Sequence, residues 1–145
     1  MTFTNHFLTG SLIAKALPWP VAIPLAFASH FLLDSLPHFG FKQHSVRNRR
    51  LFYVIEFVDF SLAGILILWL LLSRHYMMVA CGLIAFSPDS VWIYRYIFKD
   101  RFGRDEHVHV NRGITRFHSQ IQKYERFWGL LVEIVYGSGI YWLVR

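Results

Sequence analysis

Residues 51–73 read LFYVIEFVDFSLAGILILWLLLS, a run whose only charges are Glu56 and Asp59. A helix needs about 20 mostly apolar residues to cross a bilayer, so the run is read as a spanning helix. Three other stretches read the same way. Residues 20–39 carry His30, Asp34 and His38; residues 76–98 are interrupted by Pro88, Asp89 and Arg95; residues 127–144 hold one charge, Glu133. A shorter apolar stretch, residues 6–16, covers about half a bilayer at ~1.5 Å per residue. It stops at Leu17-Pro18-Trp19-Pro20 and is expected to be a short or re-entrant N-terminal helix that turns at the prolines.

Composition agrees with this reading. The chain has 145 residues, enough for one domain. It is 54% hydrophobic and 17% charged, where soluble domains run at about 45–50% and ~25%. Mean hydropathy is +0.35. So many apolar and aromatic residues exclude intrinsic disorder. A single cysteine, Cys81, excludes a disulfide scaffold. No basic region precedes the first apolar stretch, so no cleavable signal peptide is expected.

The net charge is +6 and the pI about 9.8. Most of the basic residues fall in two loops. Residues 40–50 contain Lys42, Arg47, Arg49 and Arg50 and no acid; residues 99–126 contain seven basic residues and four acids. The connection at Arg74-His75 is nearly bare. The bias towards Lys and Arg on one side puts both basic loops in the cytoplasm, and the expected location is a bacterial or archaeal cytoplasmic membrane. The expected partner is therefore the lipid bilayer, and no nucleic acid is expected. Within the second loop, Ile114, Phe117, Ile121 and Tyr124 recur at helical spacing, which predicts an amphipathic helix on the interface. The expected fold is all-α: a membrane bundle of about four spans, a short N-terminal helix and this interfacial helix.

The ionisable residues within the spans share a depth. Asp34, Glu56, Asp59, Asp89 and Glu133 all fall in the half of their span nearer the basic loops, and His6 opens the N-terminal helix on that side. Such residues are costly in lipid and mark function. They are expected to line one polar chamber.

The densest constellation is His30-Phe-Leu-Leu-Asp34-Ser-Leu-Pro-His38. The spacing i, i+4 puts His30 and Asp34 on one helix face, and Pro37 lets His38 bend back. Imidazole and carboxylate together suit zinc and other first-row divalent ions. Asp89, behind Pro88, is read either as a ligand or as the cap of a restarted helix. Glu56 and Asp59 share a face of their span. His118 lies beside the apolar stripe of the interfacial helix, while His107 and His109 read as solvated. Gly10, Gly64, Gly82 and Gly129 are expected to permit close helix packing.

Taken together, Asn5-His6 with Gly10, Ser29-His30 through His38, Ser87-Pro88-Asp89 and Arg116-Phe117-His118 with Ile121 resemble the membrane-bound metal-dependent hydrolases. These are small integral membrane proteins, and the motifs occur in the same order over most of the chain. The His-x3-Asp-x3-His block has a looser similarity to a motif of zinc-dependent phospholipases C. The resemblance implies His6, His30, Asp34, His38, Asp89 and His118 as metal ligands, with Asp59 as a further candidate. Gln122 stands where relatives carry a second histidine after the Phe-His pair.

The expected function is hydrolysis of a phosphoester or lipid-like substrate near the cytoplasmic headgroup layer. One or two divalent ions, zinc first and manganese second, would activate water. Asp59 or Glu56 would serve as general base. Arg47, Arg49, Arg50 or Arg112 would hold an anionic group. The alternatives are a proton or divalent-cation transporter, or a membrane protein whose metal only holds helices together.

Overall fold

The computed structural model describes residues 1–39, 49–90, 120 and 126–145. Most of these form five α-helices: α1 (Phe3–Ala16), α2 (Trp19–Asp34), α3 (Arg49–Leu72), α4 (Tyr76–Phe86) and α5 (Gly129–Val144). A 3-10 turn, Ser87–Asp89, follows α4. The described residues contain no β-sheet, and the all-α class holds.

The breaks follow local chemistry. α1 stops at Ala16, and α2 starts beyond Pro18 with Pro20 in its first turn, where a missing N–H costs nothing. α3 closes with Arg74 in the left-handed region (φ 60°). The His75 N–H donates to the Leu70 carbonyl at 2.9 Å and the Arg74 N–H to that of Leu71 at 3.0 Å. This is a Schellman closure, with arginine where glycine is usual. α4 tightens into its 3-10 turn at Pro88, which cannot continue the ladder of backbone hydrogen bonds.

Among the described residues, one helix is long and apolar enough to cross a membrane: its Tyr53–Leu72 stretch has mean hydropathy 2.2 and is 17% buried. Two of the other three expected spans are shorter. α2 and α5 have 16 residues each, about 24 Å at ~1.5 Å per residue against ~30 Å of hydrocarbon. Ser35 and Pro37 end α2 before the expected boundary at residue 39. Residues 91–98 of the third expected span lie outside the described residues, as does nearly all of the interfacial helix expected over residues 114–127.

Helix α1 is the hub, touching each of the other four. Its contact with α4 is a near approach of backbones. A Cβ on Gly10 would sit 2.3 Å from the Cys81 carbonyl oxygen, and one on Gly82 would sit 2.5 Å from the Phe7 ring. Gly64, by contrast, faces open space, so the packing role expected of it does not hold. Around α1, Phe7, Leu8, Leu70, Met78, Val79 and Val144 form one apolar cluster, and Ala22, Ala26, Cys81 and Ala85 a second.

Chain directions alternate. Asn5 meets Glu133 at one end of α1, and Lys15 reaches the Leu143 carbonyl at the other, so α1 and α5 run parallel. Asp59 meets Phe3 and Thr4, and Leu70 packs with Phe7 and Leu8, so α3 runs the same way. α4 runs opposite: Ser11 bonds to Met78 and the Phe3 ring lies on Phe86. The end of α2, the start of α3, the end of α4 and the start of α5 therefore gather at the N-terminus of α1.

The outer surface is apolar. Phe57, Ile65 and Leu72 on α3 are 74%, 65% and 76% exposed, and Val135 on α5 is 74% exposed. The buried set includes His6, His30, His38, Asp34, Asp59 and Glu133.

Candidate metal centre

His6, His30 and Asp34 form a fully buried group that could hold a metal ion. Each reaches it from a different place in the chain. His6 lies within α1, four residues beyond Thr2, which caps that helix. His30 and Asp34 occupy one face of the last turn of α2, as their spacing requires. His6 Nε2 is 3.1 Å from Asp34 Oδ1, and His30 Nε2 is 3.3 Å from Asp34 Oδ2. Asp89, on the 3-10 turn, closes the group from α4: its Oδ1 is 3.7 Å from His30 Nε2 and its Oδ2 is 3.9 Å from His6 Nε2. Donors held ~2.1 Å from a tetrahedral ion stand about 3.4 Å apart, and these separations bracket that value.

The protonation pattern points the same way. His30 Nδ1 lies 2.9 Å from the Ala85 carbonyl oxygen. That oxygen can only accept, so Nδ1 carries the proton. With Nδ1–H so engaged, Nε2 is the nitrogen turned to the Asp34 carboxylate, where either a proton on Nε2 or a metal ion can join the two. The His6 ring stacks on His30 with centroids 4.2 Å apart. Its Nδ1 is buried and has no hydrogen-bond partner among the described residues. The Met1 amine also lies against Asp34. Burial opposes its charge, but the carboxylates of Asp34, Glu133 and Asp89 outweigh that and raise its pKa. The group thus draws positive charge.

Asp59 and Glu133 hold the start of α1. Asp59 Oδ2 accepts the Phe3 N–H at 2.8 Å, and its Oδ1 accepts the Thr4 N–H at 3.2 Å. Glu133 Oε2 accepts the Thr2 N–H at 2.9 Å and the Asn5 side-chain amide at 3.3 Å, while its Oε1 accepts the Phe39 N–H at 2.8 Å. The first N–H groups of a helix have no partner within it. Two carboxylates from α3 and α5 supply those partners and set the register of α1, hence of His6. Sequence reasoning did not give Glu133 this part. Its signal was there: it is the one acid in an otherwise apolar stretch.

The remaining candidates fall elsewhere. His38 is buried but is not in the compact group; its Nδ1–H donates to the Leu36 carbonyl at 2.7 Å. Glu56 is half-buried on α3, three residues before Asp59. Arg50 is exposed at the start of α3. His118, Arg47 and Arg112, and the side chain of Arg49, lie outside the described residues.

No protein-family model, curated protein or solved structure matches the chain. The likeness to membrane-bound metal-dependent hydrolases therefore rests on its motif residues.

Proposed function

We propose that this protein is a membrane-embedded, metal-dependent hydrolase of a phosphoester or lipid-like substrate, with His6, His30, Asp34 and Asp89 as the metal-holding residues. The observation that carries the reading is His30. Its Nδ1–H is committed to Ala85, so its Nε2 is aimed at two carboxylates. Two imidazoles with carboxylates favour zinc, with manganese second. A divalent ion held there would supply Lewis acidity, acidifying a water towards ~7 and polarising a phosphoryl oxygen.

The chain's own residues divide the other tasks. Ala85 orients His30. Asp59 and Glu133 fix α1 and with it His6. With Asp59 engaged by backbone amides, Glu56 on the same face of α3 is left to take up a proton as general base. Arg50, with Arg47, Arg49 and Arg112 near it or later in the chain, suits an anionic phosphate.

Large exposed apolar surfaces on α2, α3 and α5 support placement in the membrane of a bacterial or archaeal cell. In that setting the polar end of the bundle lies at the cytoplasmic headgroup layer, on the side of the basic loops. Cation transport is the weaker reading. Beyond the metal group the described interior is mainly apolar, with Phe7, Leu8, Leu70, Met78, Val79 and Val144, and its buried carboxylates and imidazoles gather at the polar end.

Elemental mass spectrometry of detergent-purified protein tests the centre. Near-stoichiometric metal in wild type, lost in both His30→Ala and Asp34→Asn, is the expected result. It should be joined by phosphoester turnover that a chelator abolishes. Well-folded wild type that takes up neither zinc nor manganese overturns the reading. Bound metal without turnover on any phosphoester or lipid reassigns the ion to a structural role.

A further inference from the structure

The four donors of the metal-holding group are not alike. The side chains of His6, His30 and Asp34 have no exposed surface, while that of Asp89 is 17% exposed. Their spacing differs in the same sense. The imidazole nitrogens stand 3.1 and 3.3 Å from Asp34 but 3.7 and 3.9 Å from Asp89, and the compact group is His6, His30 and Asp34 alone. Their anchoring differs as well. The first three lie within α-helices, whereas Asp89 ends the three-residue 3-10 turn behind Pro88. The other sides of the group are closed. His30 is backed by the Ala85 carbonyl at 2.9 Å and stacks on His6, and Asp34 lies against the Met1 amine. Ser87 and Ser90, on either side of Asp89 in the chain, are exposed. A molecule arriving from outside therefore meets Asp89 first.

A structural zinc ion takes four protein donors, and a hydrolytic one takes three and keeps a position open. With all four donors engaged this centre is closed, so hydrolysis requires one of them to yield. Burial decides which. Releasing His6, His30 or Asp34 would strand a polar group inside the bundle, whereas the Asp89 carboxylate can be released to solvent. Charge decides what replaces it. Two neutral imidazoles and two carboxylates balance a divalent ion. An anionic oxygen in the place of Asp89 keeps that balance among the ion's donors, while a neutral one leaves net positive charge on a buried group.

We propose that Asp89 is the exchangeable donor of the centre and gives way to an anionic phosphate oxygen, with His6, His30 and Asp34 as the permanent three. This deepens the hydrolase reading and rests on its metal-holding group. It narrows the substrate class to phosphoesters that keep an anionic oxygen, and sets aside neutral carboxylic esters.

The test loads the full chain in detergent with cobalt(II), removes the excess ion and follows the visible absorption, which reports the ion's donors. Inorganic phosphate should shift the wild-type spectrum, and neutral acetamide at the same concentration should not. Asp89→Asn and Asp89→Ala should keep near-stoichiometric cobalt, with affinity lowered by about tenfold at most, the scale of an outer partner. They should respond at about a tenth of the wild-type phosphate concentration, because no internal carboxylate competes for the position. Asp34→Asn should lose the ion. A wild-type spectrum that phosphate leaves unchanged, cobalt lost from both Asp89 variants with their fold intact, or an equal response to acetamide overturns the proposal. The wild-type titration decides even where a variant fails to fold. Dihexanoyl phosphatidic acid, run beside inorganic phosphate, tells a lipid headgroup from a free phosphate by which acts at the lower concentration. Turnover plays no part in these readings. Phosphate exchange without hydrolysis upholds the role of Asp89 and removes the hydrolase reading, and hydrolysis with a phosphate-insensitive cobalt spectrum does the reverse.

Discussion

Helices α1 and α3 divide the protein's properties between them. α1 has 14 residues, is too short to cross a bilayer, and buries Asn5, His6, Gly10 and Ser11 among the other helices. α3 has 24 residues, holds the most apolar stretch of the chain, and buries little of it. In a water-soluble protein the apolar helix would be the core and the polar one the surface. Here the order is inverted. Apolarity in this sequence is therefore a guide to the outside of the bundle, while the helix with the weaker hydropathy signal brings His6 to the His30–Asp34 pair of α2.

The contrast can be broken from either side. Removing a donor on α1 should have the largest effect. His6→Ala is expected to weaken zinc binding by roughly a thousandfold, about 4 kcal/mol, a quarter of what a four-donor site supplies. The chain should stay in the membrane fraction. Competition titration with a chelating dye reads the affinity, and an unchanged zinc affinity would remove His6 from the centre.

On α3 the expected loss is of a different kind. Leu68, exposed on α3, can be changed to Asp. Facing lipid, that change costs membrane insertion about 3 kcal/mol; facing water, it would stay within about 0.5 kcal/mol. Insertion measured by glycosylation mapping or carbonate extraction separates the two, and an indifferent Leu68→Asp would count against lipid around α3.

Glu133→Ala links the two helices' environments. It removes the carboxylate that accepts the part-buried Thr2 N–H and the buried Phe39 N–H, at a cost of about 2 kcal/mol. Because the register of α1 slackens, zinc affinity should fall by about tenfold as well. Thermal unfolding in detergent and zinc titration check the two parts; a stability loss with metal affinity intact would confine Glu133 to capping. The smallest effect is at the turn that ends α3. Arg74→Gly relieves a left-handed arginine and should raise stability by about 1 kcal/mol, seen as a higher Tm with no change in metal binding.

Much of the candidate centre could be read in the sequence. His30 and Asp34 were one turn apart on any helix, and the shared depth of Asp34, Asp59, Asp89 and Glu133 pointed to one polar end. His6 and Asp89 came through family likeness and through Pro88, and both sit at the group. His38 shows the limit. The end of the helix at Pro37 was expected to let it bend back as a third ligand; the helix does end before Pro37, but the compact group is His6, His30 and Asp34, and His38 lies outside it. Spacing predicts a shared face only while the helix lasts.

The two carboxylates at the start of α1 show a second limit. Asp59 and Glu133 looked alike in sequence as lone acids in apolar runs, open to catalysis or ion pairing. Their work with backbone N–H groups depends on α1 starting between α3 and α5, a contact more than 50 residues away from one and more than 120 from the other.

The sequence by itself determined the all-helical class, the breaks at Pro18, Pro20 and Pro88, the pairing of His30 with Asp34 and the polarity of one end. Each follows from backbone chemistry or from periodicity over a few residues. Only the tertiary structure decided that α1 is the hub, that His6 stacks on His30 and that Glu133 holds the start of α1. Those outcomes depend on how helices rotate and approach one another, through Gly10 and Gly82 above all, and rotation is set by packing between segments far apart in the chain.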